Sequence, residues 1–138
     1  MKNGYILDAC TLIAYINDED GASVLDDLLI KASDGDVSLS MSIVNILEVY
    51  YGVYRDFGNI KADEVLDEIL SLPLNILNEI DITTLKEAGR IKATYKVSIA
   101  DSIALGIASI SKMSIVTADH HEMDLIDKKE PIEFLWIR

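Results

Sequence analysis

Four carboxylates stand where carboxylates are unusual: Asp8, Glu48, Asp101 and Asp119. Asp8 follows the apolar pair Ile6-Leu7 at the end of a β-rich run, and Asp119 comes two residues after Thr117, at the end of another. Glu48 lies amid Ile46, Leu47, Val49, Tyr50 and Tyr51, with no Lys or Arg three or four positions away to form the usual surface pair. Asp101 stands near the start of the most apolar helical stretch in the chain, Ser98 to Ser111. A buried charge without a partner is costly, so acids in such settings call for a counter-charge. Hard divalent cations such as Mg²⁺ and Mn²⁺ prefer carboxylate and water oxygens. A cation held this way polarises a phosphodiester, acidifies bound water and stabilises a departing oxygen, which is what cutting RNA without a protein nucleophile requires.

Each acid also has a purely structural use. Asp8 can cap a helix beginning near Thr11, and Glu48 can lie on a narrow solvent-exposed stripe. Ser98 and Asp101 have nearly the spacing of a capping box, with Asp in place of Glu, and Asp119 with Glu122 offers a similar cap. A cap accounts for one acid at a time but not for the whole set.

The elements that must position them alternate short β-rich runs with longer helical patterns, the signature of a parallel sheet with crossover helices. Strands are expected at Gly4 to Leu7, Val37 to Met41, Leu74 to Leu77, Ser114 to Thr117 and Ile132 to Ile137. Between the first two come a short helix over Thr11 to Tyr15, a polar break at Asp18 to Gly21, and a helix marked by Val24, Leu25, Leu28 and Leu29. Ser42 is the expected N-cap of a long helix ending at Phe57, and Gly58-Asn59 separates it from one marked by Val65, Leu66, Ile69 and Leu70. Asp81 or Thr83 starts a helix carrying Leu85, Ala88, Ile91 and Tyr95 on one face. Ser98 to Ser111 is apolar nearly all round and should be deeply buried. In open α/β sheets ligands collect at the carboxyl ends of strands where strand order reverses, which is where Asp8 and Asp119 fall.

At 138 residues, with half of them apolar, the chain fits one α/β domain over residues 1–138. It has no apolar run long enough for a membrane span and no signal-like start, and its lone Cys10 suits a reducing compartment, so a cytoplasmic location is expected. The net charge of −12 sits uneasily with nucleic-acid binding, which draws affinity from Lys and Arg. Metal ions that invert the field of an acidic pocket, or basic groups from a partner chain, would resolve the conflict.

The segments Ile6-Leu-Asp8-Ala-Cys-Thr-Leu-Ile13, Asn45-Ile-Leu-Glu48-Val-Tyr-Tyr-Gly52, Ile99-Ala-Asp101-Ser-Ile-Ala-Leu105 and Ile115-Val-Thr-Ala-Asp119-His-His121 together resemble the PIN-domain family, and within it the VapC-type toxins of toxin–antitoxin pairs. The resemblance extends over essentially the whole chain. It implies a three-layer domain with a mainly parallel five-stranded sheet in the order 3-2-1-4-5, flanked by helices. It also implies a Mg²⁺- or Mn²⁺-dependent endoribonuclease, often homodimeric, in which Asp8, Glu48, Asp101 and Asp119 hold the metal and serve catalysis. An antitoxin would block the acidic groove with an inserted Arg or Lys. Thr117 would orient Asp119 or the ion's water shell. The family often carries Ser, Thr or Asn where this chain has Cys10, a poorer hydrogen-bond partner that puts the strength of activity or the metal preference in question.

Two readings remain beside the toxin: an RNA-processing PIN nuclease, and a catalytically silent PIN fold acting as a binding module. A haloacid-dehalogenase-type phosphatase would need an Asp where Cys10 stands, and a response-regulator receiver an acidic pair after the first strand; both fit worse. His120-His121 lacks a second His or Cys cluster for zinc and reads as surface or support. Tyr50, Tyr51 and Tyr54 read as core or dimer packing rather than base-stacking groups, and Arg55, Lys61, Arg90, Lys92 and Lys96 as solvated helix faces or phosphate contacts.

Overall fold

The computed structural model describes residues 3–138. Its elements run β1 (Asn3–Leu7), α1 (Ala9–Ile16), α2 (Ala22–Ser33), β2 (Val37–Ser42), α3 (Ile43–Phe57), α4 (Asn59–Leu70), β3 (Asn75–Leu77), α5 (Ile82–Thr94), α6 (Ile99–Ser111), β4 (Ser114–Thr117), α7 (His120–Lys129) and β5 (Phe134–Trp136). The strands form one sheet in the order β3-β2-β1-β4-β5 with every pairing parallel, as the family resemblance implies.

Alternation along β1 divides the interior. Leu7 packs on one face of the sheet with Leu12, Leu25, Leu39, Met41, Val49 and Ile69, whereas Ile6 packs on the other with Ile91, Leu105, Ile115, Met123 and Ile126. Helices therefore cover both faces of the sheet. Fully burying one such Leu or Ile stabilises the fold by roughly 1.5–3 kcal/mol. On the second face α6 approaches α5 closely: a Cβ at Gly106 would lie 3.0 Å from Ala88 Cβ. Among the described residues no helix is long and apolar enough to cross a membrane.

Local chemistry sets the helix starts. Asp8, Ser42, Asp81, Ser98 and Asp119 are N-caps whose side chains accept from backbone N–H groups two or three residues on. Three expectations need correction. The helix α7 follows β4 although the sequence suggested only a cap there; Met123 and Ile126 are its buried residues, too few to give a clear period. The buried face of α5 is Thr84, Ala88 and Ile91, while Leu85 is exposed and Tyr95 lies beyond the helix end. The fifth strand is Phe134–Trp136, shorter than Ile132 to Ile137.

Candidate metal centre

The site forms where β1 and β4 end side by side. Register pairs Leu7 with Val116, and from there the chain order runs away in opposite directions, to β2 on one side and β5 on the other. Asp8 follows β1 directly and is 1% exposed. Its Oδ1 accepts from Thr11 N at 2.9 Å and its Oδ2 from the Thr117 hydroxyl at 2.5 Å. Asp8 is thus a helix cap as well as a site acid, and the two uses are compatible because a carboxylate has about four acceptor positions. Burial raises its pKa most; the Thr117 and Thr11 bonds oppose that, and the charge of Asp119 adds to it.

Thr117 is fully buried and also accepts from Asp119 N at 3.0 Å. It holds Asp8 by its hydroxyl hydrogen and the Asp119 backbone by its oxygen. The Thr11 hydroxyl donates to Val116 O at 2.8 Å.

Asp101, Asp119 and Glu122 bring carboxylate oxygens within 4.8 Å of one another. α6 carries Asp101 on its first turn, where Ser98 Oγ accepts from Asp101 N at 3.1 Å. That half of the capping box leaves the Asp101 carboxyl free to meet Glu122. Buried at 8% exposure, the carboxyl has its pKa pushed up to about 9, by desolvation first, then by the hydrogen bond with Glu122 and the charges of Asp8, Glu122 and Glu48. Asp119 caps α7 by accepting from Glu122 N at 3.2 Å, which places both carboxyls on one turn at the cleft. From sequence alone Glu122 reads as a capping residue; the spacing Asp119-His-His-Glu122 at a helix start is the signal that places it at the site.

Glu48 differs from its sequence expectation. Its flanking residues are apolar, but Leu47 and Tyr51 are themselves exposed, and Glu48 lies on that exposed stripe of α3. It nevertheless belongs to the rim of the cleft. Desolvation raises its pKa, and so do the charges of Asp8 and Glu122. Beside it is a groove of about 400 Å³ lined by Val44, Leu47, Tyr51, Ser98, Ile99 and Ala100. Gly52 leaves open space one turn on.

Cys10 is half-buried against the Ala118 backbone, and its thiol is pushed up to about 11 by burial and by the charges of Asp8 and Asp119. It is not one of the three acids that converge.

No arginine or lysine lowers the pKa of Asp8, Glu48 or Asp101. Four basic residues bond elsewhere: Arg90 bonds Glu87 and Glu130, Arg55 pairs with Asp56, Lys61 faces Glu64, and Lys92 Nζ donates to Val97 O. His120 is a surface group, stacked on Trp136 at 3.9 Å and bonded to Asp124 and Arg138 O. Tyr51 and Tyr54 are exposed rather than core residues, and the Tyr50 hydroxyl donates to Asp63. An oxygen-only donor set of crowded carboxyls fits a hard divalent ion.

Comparison with known proteins agrees with this fold. A family model, the PIN domain, matches residues 5–129. The fold is similar to that of a chain in DNA-bound VapBC from Salmonella typhimurium, with TM-score 0.75, 19% identity and 100% of both chains covered. VapBC2 from Rickettsia felis, bound to a promoter DNA fragment, gives TM-score 0.73 and 17% identity over 96% of this chain and 98% of that one. VapC20 from Mycobacterium tuberculosis, a Sarcin-Ricin loop cleaving toxin, gives 0.65 and 12% over 88% and 94%. The sequence matches no curated protein.

Proposed function

This chain belongs to the PIN-domain family, and from that premise we propose that it is a Mg²⁺- or Mn²⁺-dependent endoribonuclease, the toxin of a VapBC-type toxin–antitoxin pair. The observation that carries the reading is the convergence of Asp101, Asp119 and Glu122 within 4.8 Å, backed by buried Asp8, with no basic side chain among the described residues lowering the pKa of Asp8 or Asp101. Asp8, Asp101, Asp119 and Glu122 would hold the metal, with Glu48 at the rim. When bound, the ion supplies phosphodiester polarisation and an acidified water.

The chain's own residues supply the rest. Thr117 and Thr11 lock the Asp8 carboxylate toward the cleft, so little reorganisation is needed when a charge arrives. Asp101, with its raised pKa, must give up a proton for the cluster to reach full negative charge. Glu48 is solvent-accessible with a raised pKa, which suits a base taking a proton from an attacking water. RNA would approach through the groove beside Glu48.

Several relatives of this fold are toxin–antitoxin complexes, which supports an antitoxin partner. Insertion of its Arg or Lys into an acidic cleft that lacks a basic group would neutralise the same charges a cation would. We extend the reading to a homodimer, which light scattering would detect.

The test is cleavage of a structured RNA with Mg²⁺ or Mn²⁺, by the native chain and by Asp101→Asn and Glu122→Gln. Cleavage abolished by chelation and by either substitution is expected; equal activity in all samples would overturn the proposal.

A further inference from the structure

Asn45, on the first turn of α3, is fully buried, and neither its amide nitrogen nor its amide oxygen has a hydrogen-bond partner among the described residues. Leaving a buried amide unmade is destabilising, whereas an apolar group of the same shape would carry no such penalty. Nothing in the packing demands an amide there, since the other buried residues of the helix are Ile46 and Val49. The polar group therefore calls for a use outside the fold.

Its place in the helix suggests one. Residues three apart on a helix are surface neighbours, and three positions on from Asn45 is Glu48. The amide is near enough to pull the Glu48 carboxyl down against burial and the charges of Asp8 and Glu122, yet it makes no bond of ordinary length and angle. Asn45 lies on the buried side of the helix and Glu48 on its exposed shoulder, so the carboxylate meets the amide fully by turning inward.

We propose that Asn45 is a positioning residue for Glu48: its Nδ2–H donates to the Glu48 carboxylate when that group turns into the cleft toward a bound divalent cation. This rests on the metal-binding reading above. The bond would be charge-assisted and correspondingly strong, and groups that orient a ligand in this way typically govern affinity by about 10–100-fold. The Asn45 amide, without a partner among the described residues, thereby gains one when a cation is held.

The test measures Mn²⁺ affinity by calorimetry and metal-free thermal stability, for the native chain, Asn45→Leu, Glu48→Gln and the double variant. Asn45→Leu is expected to raise the metal-free melting temperature while weakening Mn²⁺ binding about tenfold; in the Glu48→Gln background it should have no further effect on binding. Asn45→Ala repeats the binding test without added bulk. Unchanged Mn²⁺ affinity in Asn45→Leu and Asn45→Ala overturns the proposal, as does an undiminished loss in the Glu48→Gln background. Failure of the native chain to bind Mn²⁺ overturns both this proposal and the reading beneath it, which separates the two failures.

Discussion

The Thr117 hydroxyl donates to Asp8 Oδ2 at 2.5 Å, joining the ends of two neighbouring strands across 109 residues of sequence. The same hydroxyl oxygen accepts from Asp119 N, so one buried side chain sets the position of two site acids. Thr117→Val preserves shape but leaves the Asp8 carboxylate and the Asp119 amide each short of a partner. We expect a loss of about 1–3 kcal/mol in urea unfolding together with weaker Mn²⁺ binding in calorimetry. A variant of native stability would contradict this assignment.

Asp101 makes the metal-free protein pH-sensitive. Its pKa rises from 3.8 to about 9 on folding, so the folded state holds this proton more tightly than the unfolded chain. The resulting stability is fully present below the unfolded pKa and is lost as pH rises through the folded one. Asp8 and Glu48, both raised, act with the same sign. Metal-free melting temperature should therefore fall from about pH 5 to about pH 9, with a shallower fall in Asp101→Asn. Mn²⁺ affinity should climb over the same window as the proton leaves. A melting temperature that rises with pH over this range would show that folding does not raise the Asp101 pKa.

Glu122→Gln separates stability from binding. Above about pH 9, where Asp101 has lost its proton, removing one of the crowded carboxylates relieves repulsion on Asp101, so the metal-free protein should there melt at a higher temperature than native. Mn²⁺ affinity should drop at least as far as in Asp119→Asn, since both acids share the cluster. If both substitutions leave Mn²⁺ titrations unaltered, neither acid holds the metal.

Much of this arrangement was legible before the structure. Strand-end acids and capping residues are local signals, so Asp8, Asp119 and the start of α3 at Ser42 could be read directly. Asp101 was legible because its helix is apolar nearly all round. Glu48 misled for the opposite reason: its neighbours Leu47 and Tyr51 are hydrophobic yet exposed, and residue type does not reveal which side of a helix is covered. Glu122 was hidden because α7 presents only Met123 and Ile126 as buried residues in an otherwise polar segment. Its convergence with Asp101 is a contact across the fold that no local pattern encodes. Asn45 was invisible as a site residue, since its burial depends on packing alone.

Two glycines with positive φ give a contrast. Gly21 has φ +92° and a Cβ there would lie 2.5 Å from Ile137 O, whereas Gly35 has φ +82° and open space. Gly35→Ala should cost only the left-handed penalty, roughly 1–2 kcal/mol. Gly21→Ala adds overpacking against the chain end beside β5, about 1–3 kcal/mol more. Equal destabilisation in chemical unfolding would show that the chain end yields freely.

If the acids at the ends of β1 and β4 and the starts of α6 and α7 form one divalent-metal site, crystals soaked in Mn²⁺ and measured for anomalous scattering will show a peak coordinated by oxygens of Asp101, Asp119 and Glu122 with Asp8 close by. A fully soaked crystal with no peak there, or with Mn²⁺ bound only elsewhere, would contradict that shared site.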